Sequence, residues 1–245
     1  MTDTTVNAEE IAKFAAMADA WWDPEGDFKP LHRFNPVRLE YIRDWALRHF
    51  GRSGSERRPL QGLSVIDIGC GGGLLTEPLT RLGATVTGID AGARNIAVAK
   101  LHAERSGLAI DYRDTTSEAL AAEGARFDIV LNMEVVEHVD NVPLYMKSCA
   151  DLVKPGGLLF SATINRTLRA LALAKVGAEY VLRWLPPGTH DWNKFITPDE
   201  LKALITRNGL RIVEDAGVVF HPLVNEWRRS TDTGVNYMVL AERPA

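Results

Sequence analysis

Cysteine is scarce in this chain: Cys70 and Cys149 are the only two in 245 residues, and no paired spacing suggests a disulfide framework or a cysteine-built zinc site. Long apolar runs are missing too. No stretch of about 18 uncharged apolar residues is present to form a membrane-spanning helix. The first thirty residues lack the basic start and apolar core of a signal peptide. Basic residues are outnumbered, 28 Lys and Arg against 32 Asp and Glu, so the net charge of -4 gives no general case for nucleic acid as a partner. Repeats and low-complexity tracts are absent. These absences leave a reduced, cytoplasmic, globular protein as the expectation. The 46% of hydrophobic residues is enough to fill a sizeable core, in one large domain or a domain with a small appendage.

Two helices are expected before the main domain. After a short tail, Ile11, Phe14, Ala15, Ala18 and Trp22 share one helical face until Asp23-Pro24-Glu25-Gly26 interrupts it. A second helix is expected to start with Asn35 as its cap and Pro36 in the first turn, burying Leu39, Ile42, Ala46, Leu47 and Phe50. Residues 1–60 therefore read as an N-terminal helical cap on a domain spanning 61–245.

From Leu63 onward, short apolar runs alternate with helical patterns, as in an α/β protein with a parallel sheet covered on both faces. Strands are expected at Ser64–Ile68, Thr85–Ile89, Ala109–Tyr112, Phe127–Leu131 and Leu158–Ala162. Helices are expected at Leu74–Arg81, Ala93–Ser106 and Val142–Leu152, with a further start at Thr197-Pro198-Asp199-Glu200. Two final strands, Arg211–Val219 and Asn236–Ala241, have no helix between them and predict an antiparallel edge hairpin with a long connection. The sum is a Rossmann-like, mostly parallel seven-stranded sheet.

The chemistry concentrates at Val65-Ile66-Asp67-Ile68-Gly69-Cys70-Gly71-Gly72-Gly73, an apolar strand that carries an acid and enters a glycine-rich turn. Glycine allows a tight turn and a close ligand, and the helix that follows offers free N–H groups. A dinucleotide fingerprint would place its third glycine where Leu74 stands. The acid Asp67 would repel a pyrophosphate but suits an ammonium. S-adenosylmethionine (AdoMet) has an ammonium and no phosphate, so the pattern points to a class I AdoMet-dependent methyltransferase. Asp90, ending the second strand, is placed to accept the ribose hydroxyls, and Asp114, after the third, to meet the adenine amino group.

Further segments narrow the reading: Ile11-Ala12-Lys13-Phe14, Trp21-Trp22-Asp23, the run from Phe28 to Arg38, Glu134-Val135-Val136-Glu137-His138-Val139, Leu152 to Gly157, Gly188-Thr189-His190-Asp191 and Val235-Asn236-Tyr237-Met238. In order and spacing, from Glu9 to Leu240, these resemble the ubiquinone-biosynthesis O-methyltransferases. The resemblance implies methyl transfer to a hydroxyl of polyprenylated phenol or catechol intermediates at two pathway steps. It implies cofactor contacts at Arg38, Gly69, Asp90 and Met133, joining Asp67 and Gly71 from the motif. It also makes Glu134, Glu137 and His138 ligands of Mg2+ or another divalent cation, which would acidify the phenol. The alternative is that His138 acts as a plain base or positioning group, because a phenol with a pKa of about 10 needs help to ionise. If Glu134 begins a helix, the three share one face at offsets of three and four. His32, Asn35, His190, Lys194 and Tyr237 are substrate-side groups or satisfied structural residues, and Trp21 and Trp22 read as core.

Residues 165–197 are a long insert, apolar on several faces between Leu168 and Leu185, where Arg166, Arg169, Lys175 and Arg183 outnumber Glu179. It reads as a lid whose 166–185 segment meets an anionic bilayer, giving a cytoplasmic protein peripherally bound to the inner membrane, in reach of other quinone-biosynthesis enzymes. The alternative is burial against the protein itself. Two rival functions remain: methylation of a soluble phenol, and a non-catalytic subunit that binds quinone precursors.

Overall fold

The computed structural model describes residues 4–172, 192–221 and 224–245. Helix α1 (Ala8–Ala16) is capped by the side chain of Asn7, and a 3-10 turn follows at Ala18–Ala20. Helix α2 spans Lys29–His49, with Pro30 in its first turn and Pro36 inside it. The start expected at Asn35 is therefore corrected to Lys29. Pro36 lacks the N–H that would bond back one turn, yet the helix continues, because Phe34, Val37, Arg38, Tyr41 and Ile42 around it are all buried.

The main domain then alternates β1 (Ser64–Ile68), α3 (Thr76–Arg81), β2 (Thr85–Asp90), α4 (Ala93–Arg105), β3 (Asp111–Asp114), α5 (Ser117–Ala122) and β4 (Phe127–Met133). A 3-10 turn at Val136–His138, α6 (Val142–Asp151), β5 (Val153–Ile164) and the single turn α7 (Leu168–Ala170) come next. The chain ends with α8 (Pro198–Arg207), β6 (Arg211–His221), β7 (Glu226–Ser230) and β8 (Asn236–Glu242).

One eight-stranded sheet results, in the order β3-β2-β1-β4-β5-β8-β6-β7. Strands β1 to β5 pair in parallel; β8 runs antiparallel between β5 and β6, and β7 pairs antiparallel with β6 at the edge. The expected hairpin exists, but its long connection contains the eighth strand, β7. Strand β3 lies two residues later than expected, at Asp111–Asp114, and α5 between β3 and β4 was not expected at all.

Successive strand residues face opposite sides of the sheet. On one face Val65, Ile129, Leu131, Leu158 and Phe160 pack with Phe34, Val37, Tyr41 and Ile42 of α2 and Leu79 of α3. On the other, Ile66, Ile68, Val130 and Leu159 pack with Tyr145, Met146 and Cys149 of α6 and Leu201 and Ile205 of α8. Helix α2, assigned to the cap by sequence, thus shares a core with the sheet. The strand order reverses between β1 and β4, opening the crevice at the carboxyl ends of the strands where this architecture takes ligands.

Helix α8 has the full capping box foreseen at its start: Thr197 Oγ1 accepts from Glu200 N (3.3 Å), and Thr197 N donates to Glu200 Oε2 (2.9 Å). Thr197→Ala is expected to lower unfolding stability by about 1 kcal/mol, read as an earlier urea midpoint at unchanged slope.

Candidate functional site

Beyond β1 the chain turns through Gly69, Gly71 and Gly73, at φ of 67°, 52° and 89°. That left-handed backbone is the glycine requirement. At Gly71 it is also steric, since a Cβ there would lie 2.4 Å from the Trp21 ring. Trp21 stacks on Phe28 (3.7 Å between centroids, 9°) and donates from Nε1 to Asn95 Oδ1 (3.0 Å). Trp22 Nε1 donates to Gly72 O (2.9 Å). The two tryptophans brace the glycine loop from above, a role that core burial alone did not suggest.

Asp90 ends β2 with both oxygens engaged. Oδ2 accepts from Gly71 N (3.0 Å), and Oδ1 from Gly92 N (2.7 Å) and Asn95 Nδ2 (3.1 Å). Burial nonetheless pushes its carboxyl above the ordinary range. Asp67 is buried at the heart of the crevice and accepts from Thr76 Oγ1 (2.6 Å); burial raises its pKa to about 6. Arg38, buried on α2, donates from Nη2 to Asn35 Oδ1 (3.0 Å) while its Nε has no partner. Asn35 in turn donates to Leu74 O (2.6 Å), tying α2 to the loop instead of capping the helix.

Trp21, Phe28, Arg38, Asp67, Gly69, Gly71 and Asp90 open onto one cavity of about 260 Å³, lined also by Met133 at the end of β4 and by Glu134, Glu137 and His138 beyond it. The structure therefore gathers Arg38, Asp67, Gly69, Gly71, Asp90 and Met133 around a single space. Asp114 is the exception. It is exposed and absent from the cavity wall, where its neighbours Thr115, Thr116, Ser117 and Glu118 stand. Asp114 is the last residue of β3, at the open edge of the sheet.

The acid-rich corner departs from expectation. Glu134 begins no helix; it adopts φ 61°, and only the short Val136–His138 turn follows. The three side chains consequently diverge. Glu137 Oε2 accepts from Thr163 Oγ1 on β5 (2.9 Å), and His138 Nδ1 meets Glu10 Oε2 on α1 (2.9 Å). Glu134 Oε1 is buried without a partner. Burial, then the neighbouring Glu137, pushes the Glu134 carboxyl up to about 8, and burial raises Glu137 also. Among the described residues no three His, Cys, Asp or Glu side chains are grouped to hold a metal ion. Of the substrate-side candidates, Tyr237 donates to Ile196 O (2.9 Å) and is fully buried, and His32 Nε2 is tied to Trp21 O (2.9 Å). Each already has a hydrogen-bond partner, and neither lines the cavity. Lys194 lies 4.0 Å from Glu10 Oε1, and His190 falls outside the described residues.

Comparison with known proteins agrees with this geometry. Residues 32–215 match the model of a methyltransferase domain family. The magnesium protoporphyrin IX methyltransferase of Synechocystis PCC 6803, solved with bound SAH, superposes with a TM-score of 0.66 at 19% identity, covering 95% of this chain and 94% of that one. An S-adenosylmethionine-dependent methyltransferase from Clostridium acetobutylicum gives 0.61 at 12% identity, covering 96% and 99%. At such identities these likenesses establish the fold. The curated relatives are far nearer in sequence. The ubiquinone biosynthesis O-methyltransferase of Chelativorans sp. strain BNC1 is 58% identical over 241 residues, 98% of this chain and 95% of the relative. The protein of the same name from Brucella anthropi is 59% identical over 242 residues, 99% and 98%. The chain is an AdoMet-dependent methyltransferase and belongs to the ubiquinone biosynthesis O-methyltransferase family.

Proposed function

We propose that this chain methylates a phenolic hydroxyl of polyprenylated catechol and demethylubiquinol intermediates, at both O-methylation steps of ubiquinone synthesis. One observation carries the reading: the acidic crevice of Asp67 and Asp90 and the corner holding Glu134 and His138 line the same cavity. Asp67 is the group for the cofactor's ammonium and Asp90 for its ribose hydroxyls, with Arg38, Gly69, Gly71 and Met133 completing the cradle. The sulfonium is already a good leaving group, so in-line approach of the phenolate oxygen is the main geometric demand. His138 takes the phenolic proton, the O–CH3 bond forms, and the S–CH3 bond breaks with its electron pair going to sulfur.

A divalent cation, Mg2+ or another, is the second reading. It is favoured by the unpartnered, buried Glu134 carboxyl beside Glu137, two like groups that a cation would neutralise. Carboxylate oxygens are the donors such an ion takes, and Glu137 would have to share its carboxylate with Thr163. His138, turned to Glu10, does not complete the set as it stands. The ion would bind the catechol oxygens and lower the pKa of one.

The finer setting also belongs to this proposal: peripheral contact of residues 166–185 with an anionic inner-membrane surface, near other enzymes of quinone synthesis. Residues 173–185 of that segment lie outside the described ones. Leu168, 77% exposed, supports the contact. Its flanking arginines offer less free charge than the sequence suggested, since Arg166 pairs with Glu200 and Arg169 with Asp232. No described helix is long and apolar enough to cross a membrane.

Two measurements of AdoMet affinity check the cofactor assignments. Asp90→Ala is expected to weaken AdoMet binding by about 1.5–3 kcal/mol in calorimetry. For the native protein, affinity is expected to fall as pH is lowered through about 6, because Asp67 must then release a proton before pairing with the ammonium. Unchanged affinity in both experiments would remove these residues from the cradle.

With a short-chain prenyl catechol as substrate, His138→Ala is expected to lose about 10²- to 10⁴-fold in kcat, and a chelator to leave native turnover intact. Turnover abolished by chelation at undiminished AdoMet affinity would transfer the activating role to the cation.

Liposome flotation is expected to strengthen with anionic lipid and weaken with salt. Absence of flotation would favour burial of the insert against the protein.

A further inference from the structure

Helix α1 stands between the cavity and water. Asn7, Glu10, Ile11, Phe14 and Met17, spaced at helical intervals from its cap to its end, all line the cavity. Ala8, Glu9, Ala12 and Ala16, on the other side, are exposed. An amphipathic helix ordinarily turns its apolar side to a core. No residue of α1 is buried; its apolar side faces the cavity and the edge of a small cluster formed by Ala18, Trp21, Phe28 and Leu74. Two bonds fasten this end of the chain to the loop after the Val136–His138 turn. Asn7 Nδ2 donates to Asp140 Oδ1 (2.6 Å), and Asp140 N donates to Thr5 O (3.1 Å).

The cavity wall is therefore chemically divided. Asp67 and Asp90 offer carboxylates to a charged cofactor, whereas Ile11, Phe14 and Met17, with Leu31 from the first turn of α2, offer only hydrocarbon. An ammonium, a ribose or a ring hydroxyl gains nothing from such side chains. Phe14 joins the apolar wall to the reacting end, since its ring stands 5.2 Å from the His138 imidazole, edge-on at 87°. A phenol presenting its oxygen to the Glu134–His138 corner lies beside Phe14. A substituent on that ring then has the apolar side of α1 next to it. From Ile11 to Met17 this wall runs about 9 Å, longer than the ring itself.

We propose that Ile11, Phe14, Met17 and Leu31 form the subsite for the hydrocarbon chain on the substrate ring, so that α1 selects alkenylated phenols over bare ones. The inference rests on the methylation of a prenylated phenol argued above. No polar contact is needed: the first isoprene unit leaves water for this wall, and a bare ring has no such surface to bury. Helix α1 supplies none of Arg38, Asp67, Gly69, Asp90 and Met133, so this selectivity is separable from the cofactor cradle.

Methylation of a catechol carrying one geranyl group and of unsubstituted catechol, at saturating AdoMet, reads the preference as a ratio of kcat/KM. The native protein is expected to favour the geranyl substrate by about 100-fold. Ile11→Ser and Leu31→Ser are each expected to cut that ratio about 10-fold, mainly by raising KM for the geranyl substrate. Ile11→Leu, which keeps the volume, is expected to retain it. AdoMet affinity in calorimetry, held within about twofold, reports that each variant is folded; where a serine variant loses it, Ile11→Ala and Leu31→Ala carry the same test. A native protein without preference, or a ratio untouched by the changes at Ile11 and Leu31, would overturn the inference while the proposed reaction stands. Turnover of neither catechol would sink the proposed reaction and this subsite with it.

Discussion

Desolvated negative charge governs this molecule. Asp67, Asp90, Glu134 and Glu137 all sit with carboxyls raised by burial around one cavity, and Arg38 is the only Lys or Arg among the described lining residues. Taking several carboxylates out of water costs free energy unless cations or protons answer them. A methyl donor that carries both a sulfonium and an ammonium is suited to that deficit. The braced loop, the two tryptophans above it and the tie from Asn35 to Leu74 hold the acids where water cannot screen them. The site is thus a place of stored electrostatic demand, and the sheet and helices around it keep that demand in one geometry.

Much of this was legible in the sequence. Strand β1 has the boundaries its apolar run implies, and Thr197-Pro198-Asp199-Glu200 forms the cap its residue types call for. Buried parallel strands announce themselves as continuous apolar runs. Strand β7 could not, because Glu-Trp-Arg-Arg-Ser offers no apolar face and its place depends on pairing with β6. Helix α5 is too short to show a period. Pro36 misled because its local chemistry favours a helix start, and only burial on both sides of it carries α2 through.

The candidate site divides in the same way. Asp67, the glycines and Asp90 are set by a local strand–turn–helix pattern, so reading them needs no tertiary knowledge. The Glu134–His138 corner is not local. A left-handed residue that is not glycine or asparagine has no sequence signal, and it sends Glu134, Glu137 and His138 in different directions. The partners that receive two of them, Thr163 and Glu10, belong to a central strand and to the first helix. Asp114 stands apart for a simpler reason: it is the exposed last residue of β3, while its neighbours Thr115 and Thr116 line the cavity.

The sheet is open, and its two outermost strands are short and charged. Strand β3 exposes Asp111, Arg113 and Asp114; strand β7 exposes Glu226, Arg228 and Arg229. An unpaired edge is a template for another chain to join, and alternating charges on a short edge make that joining unfavourable. Both edges of the folded sheet therefore disfavour strand-by-strand joining of a second copy.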